Sequence, residues 1–67
     1  MAKDLYEYVR GELQGKGKRP LWRRMADELA ETASYSLISK IGTGEYKSSP
    51  SYHRLIAMAE WLRKARP

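Results

Sequence analysis

Two groups of side chains in this 67-residue chain have types and spacing that could do chemistry. The first is Tyr35, Ser36, Ser39 and Lys40, which bring hydroxyls and one ammonium to a short segment. Leu37, Ile38 and Ile41 recur in that segment at helical spacing, so one of its faces can be buried. A helix with an anchored apolar back and a small, hydrogen-bonding front fits a duplex major groove. There, hydroxyls donate or accept and an ammonium reaches guanine O6 and N7. The second group is acidic: Asp27, Glu28 and Glu31, within about one turn of a helix. Nothing beside these carboxylates supplies a metal-ligand set or a nucleophile with its base. His53 and one of the many serines could be imagined as a dyad, but His53 sits near a helix start in a basic region and reads as a surface residue or phosphate contact. With no Cys and a single His, neither a thiolate site nor a histidine zinc site can be assembled. The expectation is a protein that is not an enzyme, with no catalytic residues, no metal, no cofactor and no small-molecule ligand.

The charge is segregated along the chain. The net charge is +5 and the isoelectric point is near 9.8. Residues 15–24 hold Lys16, Lys18, Arg19, Arg23 and Arg24 and no acid, whereas residues 25–34 hold Asp27, Glu28 and Glu31 and no base. Residues 51–67 hold Arg54, Arg63, Lys64 and Arg66 against Glu60 alone. Clustered positive charge suits a phosphate-rich partner. The same charge also serves as a solvated surface that keeps a small protein soluble. No apolar run is long enough to cross a membrane. The N-terminal MAKDLYEYVRGEL is charged and lacks the apolar core of a secretory signal, so a cytoplasmic location and no membrane partner are expected.

Four helices are needed to position these groups, over residues 3–14, 20–31, 35–42 and 51–64, in a single all-α domain spanning 1–67. Leu5, Tyr8, Val9 and Leu13 give the first helix its stripe, and Gly15 and Gly17 terminate it. Pro20 suits the first turn of the second helix, whose inward stripe is Leu21, Trp22, Met25, Ala26 and Leu29. Thr32-Ala33-Ser34 is a turn, with Ser34 as N-cap of the third helix. Gly42-Thr43-Gly44 ends that helix, which at two turns depends on tertiary packing. Ser51 can cap the fourth helix, with Leu55, Ile56, Ala59 and Leu62 inward and Trp61 off the centre of the stripe. The predicted core is Leu29, Leu37, Ile38, Ile41, Leu55, Ile56 and Leu62, with Trp22 packed among them. A chain of this size buries only about 60% of its unfolded surface, so stability is marginal.

Ile38-Ser39-Lys40-Ile41, then Gly44, then Pro50-Ser51, then Leu55-Ile56-x-Met58-Ala59-x-x-Leu62 resembles the Cro and phage-repressor (XRE-type) helix-turn-helix family. Ser34 also falls at the matching spacing, and the resemblance covers about thirty residues. It implies a small four-helix, lambda-repressor-like domain that binds specific double-stranded DNA as a phage or bacterial transcription regulator, with a recognition helix over about 35–42. Carried over by position, Tyr35, Ser36, Ser39 and Lys40 would read bases. Arg19 and Arg23 at the start of the second helix would grip phosphate, as would Ser34, Thr43, Tyr46, Lys47 and Ser48. Free protein would be a monomer or weak homodimer, and a dimer on DNA. Two departures stand out. The family's turn carries an early Gly, where this chain has Glu31-Thr32-Ala33. The family's helix-2 Ala is also out of register: Ala26 is about two residues too far from Ser34 and Ala30 about two too near. Both predict a turn that is longer or differently bent.

The competing expectation is a protein-binding helical module, antitoxin-like or inhibitory, on the same fold. Tyr6, Tyr8, Tyr46, Tyr52 and Trp61 would form its aromatic surface. Single-stranded RNA binding ranks lower, because no sheet presents aromatics for stacking.

Overall fold

A computed structural model describes residues 2–65, leaving Arg66 of the C-terminal basic cluster outside the described residues. The chain forms α1 (Ala2–Leu13), α2 (Arg19–Leu29), α3 (Tyr35–Thr43) and α4 (Tyr52–Ala65), with no strand among the described residues. The all-helical expectation holds. α1 packs chiefly on α4, and α3 packs on both α1 and α2. None of the four helices is long and apolar enough to cross a membrane.

The ends of the helices follow local chemistry. α3 starts at its predicted cap, where the Ser34 hydroxyl accepts the Leu37 amide at 3.3 Å. It runs one residue past the predicted end, through Gly42 and Thr43, and closes at Gly44, whose φ of 83° is left-handed. The Gly44 amide donates to the Ile41 carbonyl at 3.2 Å and the Glu45 amide to the Lys40 carbonyl at 2.9 Å, a Schellman closure. Gly42 is therefore an interior residue of α3, not part of its stop. α4 begins one residue later than predicted. The Ser51 carbonyl, rather than its hydroxyl, meets the amides of Arg54 and Leu55 at 3.1 Å, while the hydroxyl pairs with His53 Nδ1 at 3.3 Å.

The largest departure is at the end of α2, which stops at Leu29 rather than Glu31. Ala30 leaves the helix at φ 51°, ψ −114°, although its amide still reaches the Ala26 carbonyl at 2.9 Å. The Thr32 amide then donates to the Leu29 carbonyl at 3.0 Å. This is the geometry of the first central residue of a type II′ turn, a place that Gly usually fills. The missing Gly of the turn thus has a structural counterpart, one residue earlier than the Glu31-Thr32-Ala33 stretch and occupied by Ala.

One apolar core joins the four helices. Val9, Leu13, Met25, Ala33, Ile38, Ile41, Leu55 and Met58 are fully buried, and Trp22, Leu37, Ala59 and Leu62 nearly so. Each large side chain contributes about 1.5–3 kcal/mol through burial. Leu29 and Ile56, expected inside, are only half-buried, Leu29 against this cluster. Ile56 lies off the centre of its helix's stripe, whereas Leu29 is on its stripe but is the last residue of α2. Ala33 was missed because it lies in the turn, outside any periodic pattern.

Candidate functional site

α3 divides cleanly by face. At about 100° per residue, Leu37, Ile38, Ile41 and Gly42 fall on one side, and all are buried. Ser36, Lys40 and Thr43 form the opposite, exposed stripe. Ser39 is half-buried and Tyr35 is 40% exposed; both flank the stripe on the side toward Gly42. Of the four predicted base readers, Ser36 and Lys40 therefore stand outward and Tyr35 and Ser39 stand at the edge. The Ser39 hydroxyl donates to the Ser36 carbonyl at 3.1 Å, and the Tyr35 ring meets Trp22 edge-on at 6.3 Å and 63°.

Trp22 fixes α3 in place. Its ring is 6% exposed, and Nε1 donates to the Leu13 carbonyl at 2.8 Å. That carbonyl belongs to the last turn of α1, where no helical amide follows to satisfy it. The indole also lies against the backbone of Gly42. Three helices thus meet on one side chain.

α2 has two distinct flanks. On one, Trp61 Nε1 donates to Glu28 Oε1 at 2.7 Å, and the Arg24 guanidinium sits 5.5 Å from the centre of the Trp61 ring. That flank faces α4, with Arg24, Glu28, Trp61, Lys64 and Ala65 lining a shallow cleft. On the α2 helical wheel, Arg19 and Arg23 fall on the other flank, beyond Trp22 and so on the α3 side. Both are exposed. The segregation of Arg23 from Arg24, adjacent in sequence, is a property of the helix. The bond between Trp61 and Glu28 was not anticipated, and 33 residues of separation leave no local signal for it.

The remaining predicted residues occupy the two ends of α3. The Ser34 oxygen is committed to its capping bond. The Thr43 hydroxyl turns back on its own chain, to the Lys40 carbonyl at 3.4 Å and Glu45 Oε2 at 3.1 Å. Tyr46 is half-buried against the core and its amide reaches the Lys40 carbonyl at 3.1 Å, which holds the loop after α3 in place. Lys47 and Ser48 are exposed beyond it.

No family model, curated protein or solved structure matches the chain. Its chemistry must be read from the geometry above. Among the described residues, no three His, Cys, Asp or Glu side chains gather as a metal site. Of the aromatics expected to form a protein-binding surface, Tyr6, Tyr8, Tyr46 and Trp61 are partly buried against the core, and Tyr52, with Tyr35, is exposed among the described residues. Arg10 lies over the ring of Tyr6 and Arg63 over that of Tyr8, at 5.9 and 6.0 Å. What the described residues do present is a rigidly backed helix with a hydroxyl and ammonium front, flanked by arginines. Such a surface can donate to and accept from base edges and neutralise phosphates.

Proposed function

We propose that this chain is a sequence-specific double-stranded DNA-binding domain, a small cytoplasmic transcription regulator of the Cro and repressor type, without catalytic activity. In this reading α2 and α3 form a helix-turn-helix and α3 enters the major groove. The observation that carries it is the two-sided build of α3. Leu37, Ile38 and Ile41 are buried behind an outward stripe of Ser36, Lys40 and Thr43, with Arg19 and Arg23 on the adjoining flank of α2. Lys40 and Ser36 read bases, and Tyr35 and Ser39 touch them from the edge. Arg19, Arg23, Ser34, Thr43, Tyr46, Lys47 and Ser48 surround the reading helix as backbone contacts. Two copies occupy half-sites about one helical turn apart.

Selection of bound duplexes from a random pool tests this directly. A palindromic consensus is the expected result. Recovery of no consensus, with weak binding that is the same for every duplex, would refute it and put the protein-binding module in its place.

A further inference from the structure

Gly42 sits inside a helix, where Gly is a poor choice. Ala is favoured at such a position by conformational entropy, and Gly42 does not share the left-handed φ that Gly44 requires. The reason for Gly lies across the interface. A Cβ built on Gly42 would overlap Trp22 Cζ2, stand 2.7 Å from Cε2 and lie 3.0 Å from Nε1, closer than the indole allows without shifting. The edge of the indole that meets Gly42 is the same edge that donates to the Leu13 carbonyl. The ring cannot retreat from an added methyl without leaving a buried N–H and a buried carbonyl unsatisfied. Tyr35 meets the same indole at the other end of α3. It lies seven residues before Gly42, about two turns, and so on the same face.

The geometry points to Trp22 and Gly42 as a size-matched pair that sets how far α3 stands from α2. They are positioning residues for a reading surface to which neither belongs. This inference rests on the DNA-binding reading and adds the device that sets its precision. Base-edge hydrogen bonds tolerate only a few tenths of an ångström and a narrow range of angles. Phosphate attraction acts over a Debye length. A methyl group wedged between α2 and α3 should therefore erode selectivity and leave non-specific binding almost intact.

Four proteins test it: the unaltered chain, Gly42→Ala, Trp22→Phe and the double variant. Each is melted, then titrated with the selected duplex and with a random duplex, at a temperature where circular dichroism shows it folded. Gly42→Ala should lose about tenfold on the selected duplex, the scale of one base contact, with random-duplex affinity nearly unchanged. Trp22→Phe removes the indole edge that the new methyl of Gly42→Ala would strike. The double variant should therefore regain selectivity over Gly42→Ala while still melting below the unaltered chain, because Phe cannot donate to the Leu13 carbonyl. A purely structural role would make selectivity indifferent to the pair, or make it track melting temperature. Wild-type selectivity in Gly42→Ala, or no recovery in the double variant, overturns the inference. If Gly42→Ala alone does not fold, the double variant is compared with Trp22→Phe. A large loss of selectivity on adding Gly42→Ala to the Trp22→Phe background then overturns it equally. Absence of selective binding by the unaltered chain is a different failure. It removes the DNA-binding reading itself, and the positioning role with it.

Discussion

Ala30→Gly should make this protein more stable, against the usual direction of Ala→Gly substitutions inside helices. Ala30 holds φ 51°, ψ −114°, fixed between its own amide bond to Ala26 and the Thr32–Leu29 bond of the turn. A side chain in so sparsely populated a region costs of order 1–3 kcal/mol. Gly relieves that cost but gives the unfolded chain more freedom, which takes back about 0.4–1 kcal/mol. The Ala30 methyl is exposed, so little burial is lost. The net expectation is a gain of roughly 0.5–2 kcal/mol. For a domain of this size each kcal/mol moves the melting midpoint by about 4–8 °C. Thermal and urea unfolding followed by far-UV circular dichroism, which reports helix content, would read the change directly. Ala30→Val gives the opposite control, since a β-branched residue at positive φ is worse still. A lower midpoint for Ala30→Gly, or equal midpoints for the Gly and Val variants, would show that Ala30 is not strained and that α2 ends by some other device.

Ile41 is fully buried on the back of α3, so Ile41→Ala should cost about 2–5 kcal/mol, enough to unfold much of a small domain, as a chemical denaturation series would show. Gly44→Ala places a side chain at φ 83° and should lower stability by about 1 kcal/mol in the same assay. Arg23→Ala should weaken binding to all duplexes alike and reduce the slope of affinity against salt by about one unit. Lys40→Ala should cost about 1–3 kcal/mol on the selected duplex and much less on random duplex; equal losses on both would make Lys40 a phosphate contact.

The helices were legible in the sequence because their signals are local. Apolar residues at three- and four-residue steps mark a buried face wherever that face ends up, and Ser34, Pro20 and the glycines mark ends through bonds to near neighbours. The same periodicity placed Leu37, Ile38 and Ile41 inside and Lys40 and Ser36 outside, so the front of α3 could be drawn before its surroundings were known. What the sequence could not carry is anything that depends on where a second element lies. Gly42 next to Thr43 and Gly44 reads as part of a stop signal. Only the indole of Trp22 packed against it, from an element distant in sequence, makes it an interior residue that must lack a Cβ. Ala30 reads as an ordinary helix residue, and only the direction in which the chain must leave to reach α3 forces its unusual backbone. Arg23 and Arg24 are indistinguishable as letters. The helix turns them about 100° apart, but only the packing of Trp22 on α3 and of Trp61 on α2 decides which neighbour each flank meets. Local propensity and periodicity determined the elements. Close packing between them, which tolerates neither overlap nor unsatisfied buried groups, decided their spacing, the turn between α2 and α3, and which charges share a surface.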